Sequence, residues 1–172
     1  MTVRRRRLGE LMGRLTKVAM PESEPGPAGT GPTYRYRSDP VVLAELTALR
    51  GRIDQCVGSL VASSDGMLVA HDLPPEIEPA GMAALTASEL ALSHRMASTA
   101  HGGGFHEVVV HGTNGYVVVY AAGWTASLTV LAGPGVNVGR LHLESRPAAR
   151  AIGAHLSTSD NGRTDRQRRE PT

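Results

Sequence analysis

Residues 105–132 read FHEVVVHGTNGYVVVYAAGWTASLTVLA, and how this stretch divides decides the fold. Three runs, FHEVVVH, YVVVY and ASLTVLA, are dense in β-branched and aromatic residues and read as strands. GTNG and AGWT separate them, and Asn114-Gly115 is a strong hairpin signal. Connections this short cannot carry a parallel crossover, so the three strands pair antiparallel.

Working towards the N-terminus, CVGSLVAS and MLVAHD flank a tight turn at Asp65-Gly66 and form a second hairpin. Between the hairpins, AGMAALTASELALSHRMASTA has the length and composition of a long helix beginning near Pro79. Before the first strand, SDPVVLAELTALRGRI offers Ser38 or Asp39 as a cap and Pro40 at the first helical position. Val42, Leu46, Leu49 and Ile53 then form one apolar stripe. On the C-terminal side, GPGVNV leads to a last helix over about 138–156, capped by Asn137. Its apolar residues are Leu141, Leu143, Ala148, Ala149, Ile152 and Leu156. Pro147 lies inside it, so the helix either kinks or splits there. The order is helix, two strands, helix, three strands, helix, which is an α+β arrangement.

The long helix is apolar nearly all round. Met82, Leu85, Leu92 and Met96 share one face, while Ala83, Ala87, Leu90, Ala91 and Ala97 cover much of the rest. Glu89 and Arg95 are its main charges, and Arg95 reads as part of a packed girdle rather than as a catalytic group. One sheet covers one side of such a helix, so a second subunit is expected on the other.

The chain has 172 residues and a net charge of +2, unevenly spread. Residues 1–37 hold eight basic and three acidic groups, residues 38–157 six and ten, and residues 158–172 four and three. Residues 1–37 therefore read as a basic, largely disordered arm and Pro/Gly linker, 38–157 as the folded domain, and 158–172 as a disordered tail. Arg4, Arg5, Arg6 and Arg7 form an electrostatic arm, with Leu8, Leu11, Met12 and Leu15 behind them at helical spacing. Nucleic acid or an anionic membrane is a weaker reading of this arm than simple solvation, since aromatic interleaving is lacking. No apolar run approaches the ~18 residues of a membrane span, and no secretory signal follows the basic start. The expected location is cytoplasmic.

Chemistry-bearing motifs are few. HGGG at 101–104 resembles half an oxyanion hole, but no G-x-S-x-G nucleophile accompanies it, and a helix-to-strand joint explains the glycines better. GPGVNVG at 133–139 has G-x-G-x-x-x-G spacing and no following strand, so no dinucleotide site is expected. One cysteine, Cys56, excludes a disulfide framework and a Cys-based zinc site, and the seven histidines are scattered. We expect no catalytic residue, no metal and no cofactor.

GSLVASSDGMLVA, AALTASELALSHRMA, EVVVHGTNGYVVVYAAG and LTVLAGPGVNVGRLHLESRPAARAI, taken in succession over about 39–156, resemble the roadblock family of dynein light-chain and bacterial gliding-protein regulators. The resemblance implies a roadblock/profilin-like α/β fold, with a five-stranded antiparallel sheet between one long helix and two others. It implies a homodimer in which Met82, Leu85, Leu92 and Met96 contribute to sheet-facing or dimer-facing seams, with Val108 and Val110 on the pairing edge strand. It also implies a small Ras-like GTPase as partner, beside a sensor-kinase-like protein, and regulation or scaffolding without catalysis. The alternative is a small-molecule or signal-sensing α/β domain.

Overall fold

The computed structural model describes residues 38–167, with side chains to residue 159. The arm with Arg4, Arg5, Arg6 and Arg7, and the helix expected just behind it, lie outside the described residues.

Helix α1 (Pro40–Arg52) starts as its sequence dictates. Pro40 sits in the first turn, and the Asp39 carboxylate accepts from the N–H groups of Val41 and Val42. Strands β1 (Cys56–Ser63) and β2 (Leu68–Asp72) form the first hairpin. Helix α2 (Pro79–His101) is capped by Glu78, whose carboxylate accepts from Ala80 and Gly81 N–H. It ends at Gly102, which takes the left-handed C-cap conformation (φ 66°) and donates its N–H to Ser98 O. His101–Gly104 is thus a helix-to-strand joint.

Strands β3 (Glu107–Gly112), β4 (Gly115–Ala122) and β5 (Ala126–Ala132) follow. The β3–β4 register pairs Gly112 with Gly115, so Thr113 and Asn114 form the turn and Gly115 already belongs to the strand. A side chain at Gly115 is impossible, because its Cβ would lie 2.2 Å from Ala132 O.

All strand pairs are antiparallel, in the order β2-β1-β5-β4-β3. β5 lies at the centre and every one of its residues is buried. α1 and α3 (Val138–Gln167) cover one face of the sheet. Their shared core joins Val42, Leu46 and Leu49 to Leu141 and Ile152 over Val118, Tyr120, Leu128 and Val130. α2 covers the other face, packing on β1, β2, β4 and β5, with Leu60, Ala62 and Ala83 at its centre. The α+β sandwich of one long helix, five strands and two helices is the expected one.

Of the two readings of Pro147, kink or split, the structure excludes the split: α3 is a single element with Pro147 inside. The carbonyl of Leu143, which loses its N–H partner to Pro147, belongs to a residue that is 70% exposed, so water can satisfy it. The helix also passes the expected end near Leu156, and residues 158–167 of the stretch read as a tail are helical. Ser157, Thr158 and Ser159 each donate their hydroxyl to the carbonyl four residues back, which is compatible with continued helix.

Candidate functional site

The side of α2 that meets the sheet is lined by small and polar residues. Ala83, Thr86 and Ser93 are its buried positions. Thr86 Oγ1 lies 2.9 Å from Thr129 Oγ1 of β5, a buried hydroxyl pair that fixes the helix over the sheet centre. Ala84 and Ala87 face the β1–β2 turn, where a Cβ at Gly66 would come within 3.5 Å of Ala84 Cα and 3.6 Å of Ala87 Cβ.

The large apolar side chains lie elsewhere. At 100° per residue, Leu85, Leu92 and Met96 fall on the flank turned away from that turn. They are 67%, 56% and 64% exposed. Met82 alone of the four seam residues packs half-buried against the Leu60–Ala62 cluster. The four therefore do not share one environment: Met82 belongs to the sheet side and the other three to an uncovered flank. Arg95, one of the few charges of this helix, is exposed.

The second uncovered feature is β3, an edge strand. Val108 and Val110 pair with Val119 and Val117, so all four share the sheet face on which α2 sits. Val110 is exposed and Val108 half-buried. An apolar helix flank and an apolar strand edge thus lie uncovered on one side of the chain.

β3 is held in place from the opposite face. Glu107 accepts Arg146 Nε of α3 at 2.8 Å in a two-pronged ion pair. His142 Nδ1 lies 2.9 Å from Tyr120 Oη and 3.6 Å from Glu107. The Arg146 hydrogen bond, against the opposing effect of burial, holds the Glu107 carboxyl below its ordinary value. Burial pushes the Tyr120 hydroxyl well up, so it stays protonated and can donate to His142. At the far end of α3, His155 Nε2 meets Asp39 at 3.1 Å. Burial raises the Asp39 carboxyl, but Val42 N–H, His155 and Val41 N–H outweigh it and leave it lowered.

Nothing in this arrangement presents a nucleophile with a base, and the described residues hold no group of three or more His, Cys, Asp or Glu placed for a metal. A groove of about 510 Å³ lies between α1 and α3, lined by Val41, Ala44, Glu45, Ile152 and His155. Of its polar side chains, Glu45 accepts from Arg52 through Oε1 and His155 meets Asp39 through Nε2. No described helix is long and apolar enough to cross a membrane.

The sequence groups Met82, Leu85, Leu92 and Met96 on one face but does not sort them between sheet and solvent, because a helix apolar on every side gives no phase. Leu143, counted among the apolar residues of the last helix, stands 200° around it from Leu141 and is 70% exposed. Trp124, 93% exposed in the β4–β5 turn, was not singled out at all.

Comparison with known proteins gives the same picture. The Roadblock/LC7 domain family matches residues 42–132, from α1 through β5. An uncharacterized protein of Methanocaldococcus jannaschii is 28% identical over 113 residues, covering 66% of this chain and 92% of its own. Among solved structures, the Roadblock/LC7 domain from Streptomyces avermitilis superposes with a TM-score of 0.61 at 24% identity, over 67% of this chain and 97% of that one. Myxococcus xanthus MglB superposes with a TM-score of 0.63 at 16% identity, over 68% and 88%. At these identities the structures show a shared fold.

Proposed function

This chain belongs to the Roadblock/LC7 domain family, and from that premise we propose that it is a non-enzymatic regulatory module. It works in the cytoplasm as a homodimer that binds a small Ras-like GTPase and tunes its nucleotide cycle or position. The observation that carries this reading is the exposed row Leu85, Leu92 and Met96. A Leu or Met side chain fully covered by a partner contributes ~1.5–3 kcal/mol, so three of them on each protomer supply a substantial part of a stable interface. Val110 on the edge strand extends the same surface, and pairing two β3 edges would satisfy backbone groups otherwise left to water. The family resemblance supplies the GTPase as partner, with a sensor-kinase-like protein as a further one.

The test is the GTP hydrolysis rate of the small Ras-like GTPase encoded nearest this gene, with and without the full chain. The wild-type chain should change the rate or form a complex in one nucleotide state. Leu92→Arg, which places a charge on the exposed flank without touching the core, should abolish the effect. No rate change and no complex in either nucleotide state contradicts the proposal for that pair.

A further inference from the structure

The outer face of α3 carries charge and apolar surface that neither the fold nor the α2 flank uses. α3 buries Leu141, Ser145, Ala148, Ala149 and Ile152 against the sheet. At 100° per residue, the opposite line runs through Arg140, Leu143, Pro147 and Arg150. Leu143, at 70%, is more exposed than any other large aliphatic side chain among the described residues. Residues 38–157 are acidic on balance, with six basic against ten acidic groups, yet three of those six, Arg140, Arg146 and Arg150, stand on this helix.

The neighbouring carboxylates do not neutralise the ridge. Glu107 is taken by Arg146, and Glu144 is turned to Arg52 of α1 at 3.2 Å. Arg140 Nε donates to a neutral acceptor, the carbonyl of Arg52. Arg150 has no hydrogen bond or ion pair among the described residues. It borders a cleft of about 150 Å³ lined also by His106, Glu107, Tyr120, Arg146 and Ala149, in which the Glu107 carboxylate is already paired with Arg146. Two uncompensated positive charges therefore bracket an exposed leucine. They are ten residues apart, ~15 Å or about three turns along the axis. This helix lies outside the residues matched by the family.

We propose that the Arg140–Leu143–Pro147–Arg150 ridge docks an acidic amphipathic helix of a partner protein. An apolar side chain of that helix rests on Leu143 and Pro147, and its carboxylates, about three turns apart, meet Arg140 and Arg150. Charge complementarity selects this occupant. An anionic lipid surface fits less well, because a helix lying in a membrane interface needs a broad apolar face and this ridge has one large apolar side chain.

The probe is a fluorescein-labelled helical peptide of ~16 residues bearing a Leu/Ala stripe flanked by Glu. The control is the same peptide with Lys for Glu. Binding is followed by anisotropy using the full chain with Arg4, Arg5, Arg6 and Arg7 changed to Ser, so that the arm cannot capture acidic groups. The Glu peptide should bind and the Lys peptide should not. Arg150→Glu, alone and with Arg140→Glu, should weaken binding by about tenfold or more, and Leu143→Ser should weaken it too, with the melting temperatures of the Arg150→Glu and Leu143→Ser chains unchanged. Arg95→Glu on α2 should leave binding intact. Equal binding of both peptides, indifference to Arg150→Glu, or loss of binding on removing the arm charges overturns the proposal. So does capture by phosphatidylserine/phosphatidylcholine vesicles, lost in Arg150→Glu, without binding of the Glu peptide; that result assigns the ridge to a membrane.

Discussion

Gly153 shows how closely α3 is set on the sheet. A Cβ there would lie 2.6 Å from Gly123 N and 2.7 Å from Ala122 C, both backbone atoms that cannot swing aside. Gly153→Ala should therefore destabilise the chain by ~1–3 kcal/mol in urea unfolding, the range for overpacking a tight contact. Gly103→Ala is the control: a Cβ at Gly103 meets nothing within 4 Å, and its effect should be small. In the sequence, Gly153 is one more small residue on a helix. A hydrophobic pattern gives the phase of a helix but no distance, so a contact set by backbone approach cannot be read from it. Leu143 illustrates the converse: its phase was legible, and its membership in the apolar set was decided by residue type alone.

The strands were legible because β-branched runs and turn residues alternate clearly; β1 and β5 have the bounds their composition suggests. The sheet order was less so. Three pairings follow from short connections, but the pairing of β1 with β5 joins residues such as Leu60 and Thr129, and no local signal specifies that. The end of α3 was misread because polar composition was taken for the absence of helix.

How α2 sits on the sheet depends on the Thr86–Thr129 hydroxyl pair. Thr129→Val should cost ~1–3 kcal/mol by leaving the buried Thr86 hydroxyl without a partner, and the double change Thr86→Val/Thr129→Val should recover part of that in the same unfolding experiment. The tie between β3 and α3 gives a pH dependence. Because the folded-state pKa of Glu107 is lowered, its contribution is full above the unfolded value near ~4.3 and is lost as pH falls through the folded value. Glu107→Gln should flatten the acid limb of stability below pH ~4.3, as read from urea midpoints measured across that range.

For the whole molecule, the sequence-level expectation of a second cover over α2 rested on counting apolar residues around the helix. In the structure the sheet takes the small residues of α2 and leaves Leu85, Leu92 and Met96 exposed. That these residues face away from the sheet was not legible, since a buried flank and an exposed apolar flank have the same composition. The most direct measurement is sedimentation equilibrium of the full chain and of Leu92→Arg over a wide concentration range, with circular dichroism as a check on folding. The account predicts twice the chain mass for the wild type and the chain mass for Leu92→Arg, with unchanged dichroism because residue 92 is outside the core. A wild type that stays monomeric at every concentration, or a Leu92→Arg chain that dimerises as tightly, would contradict it.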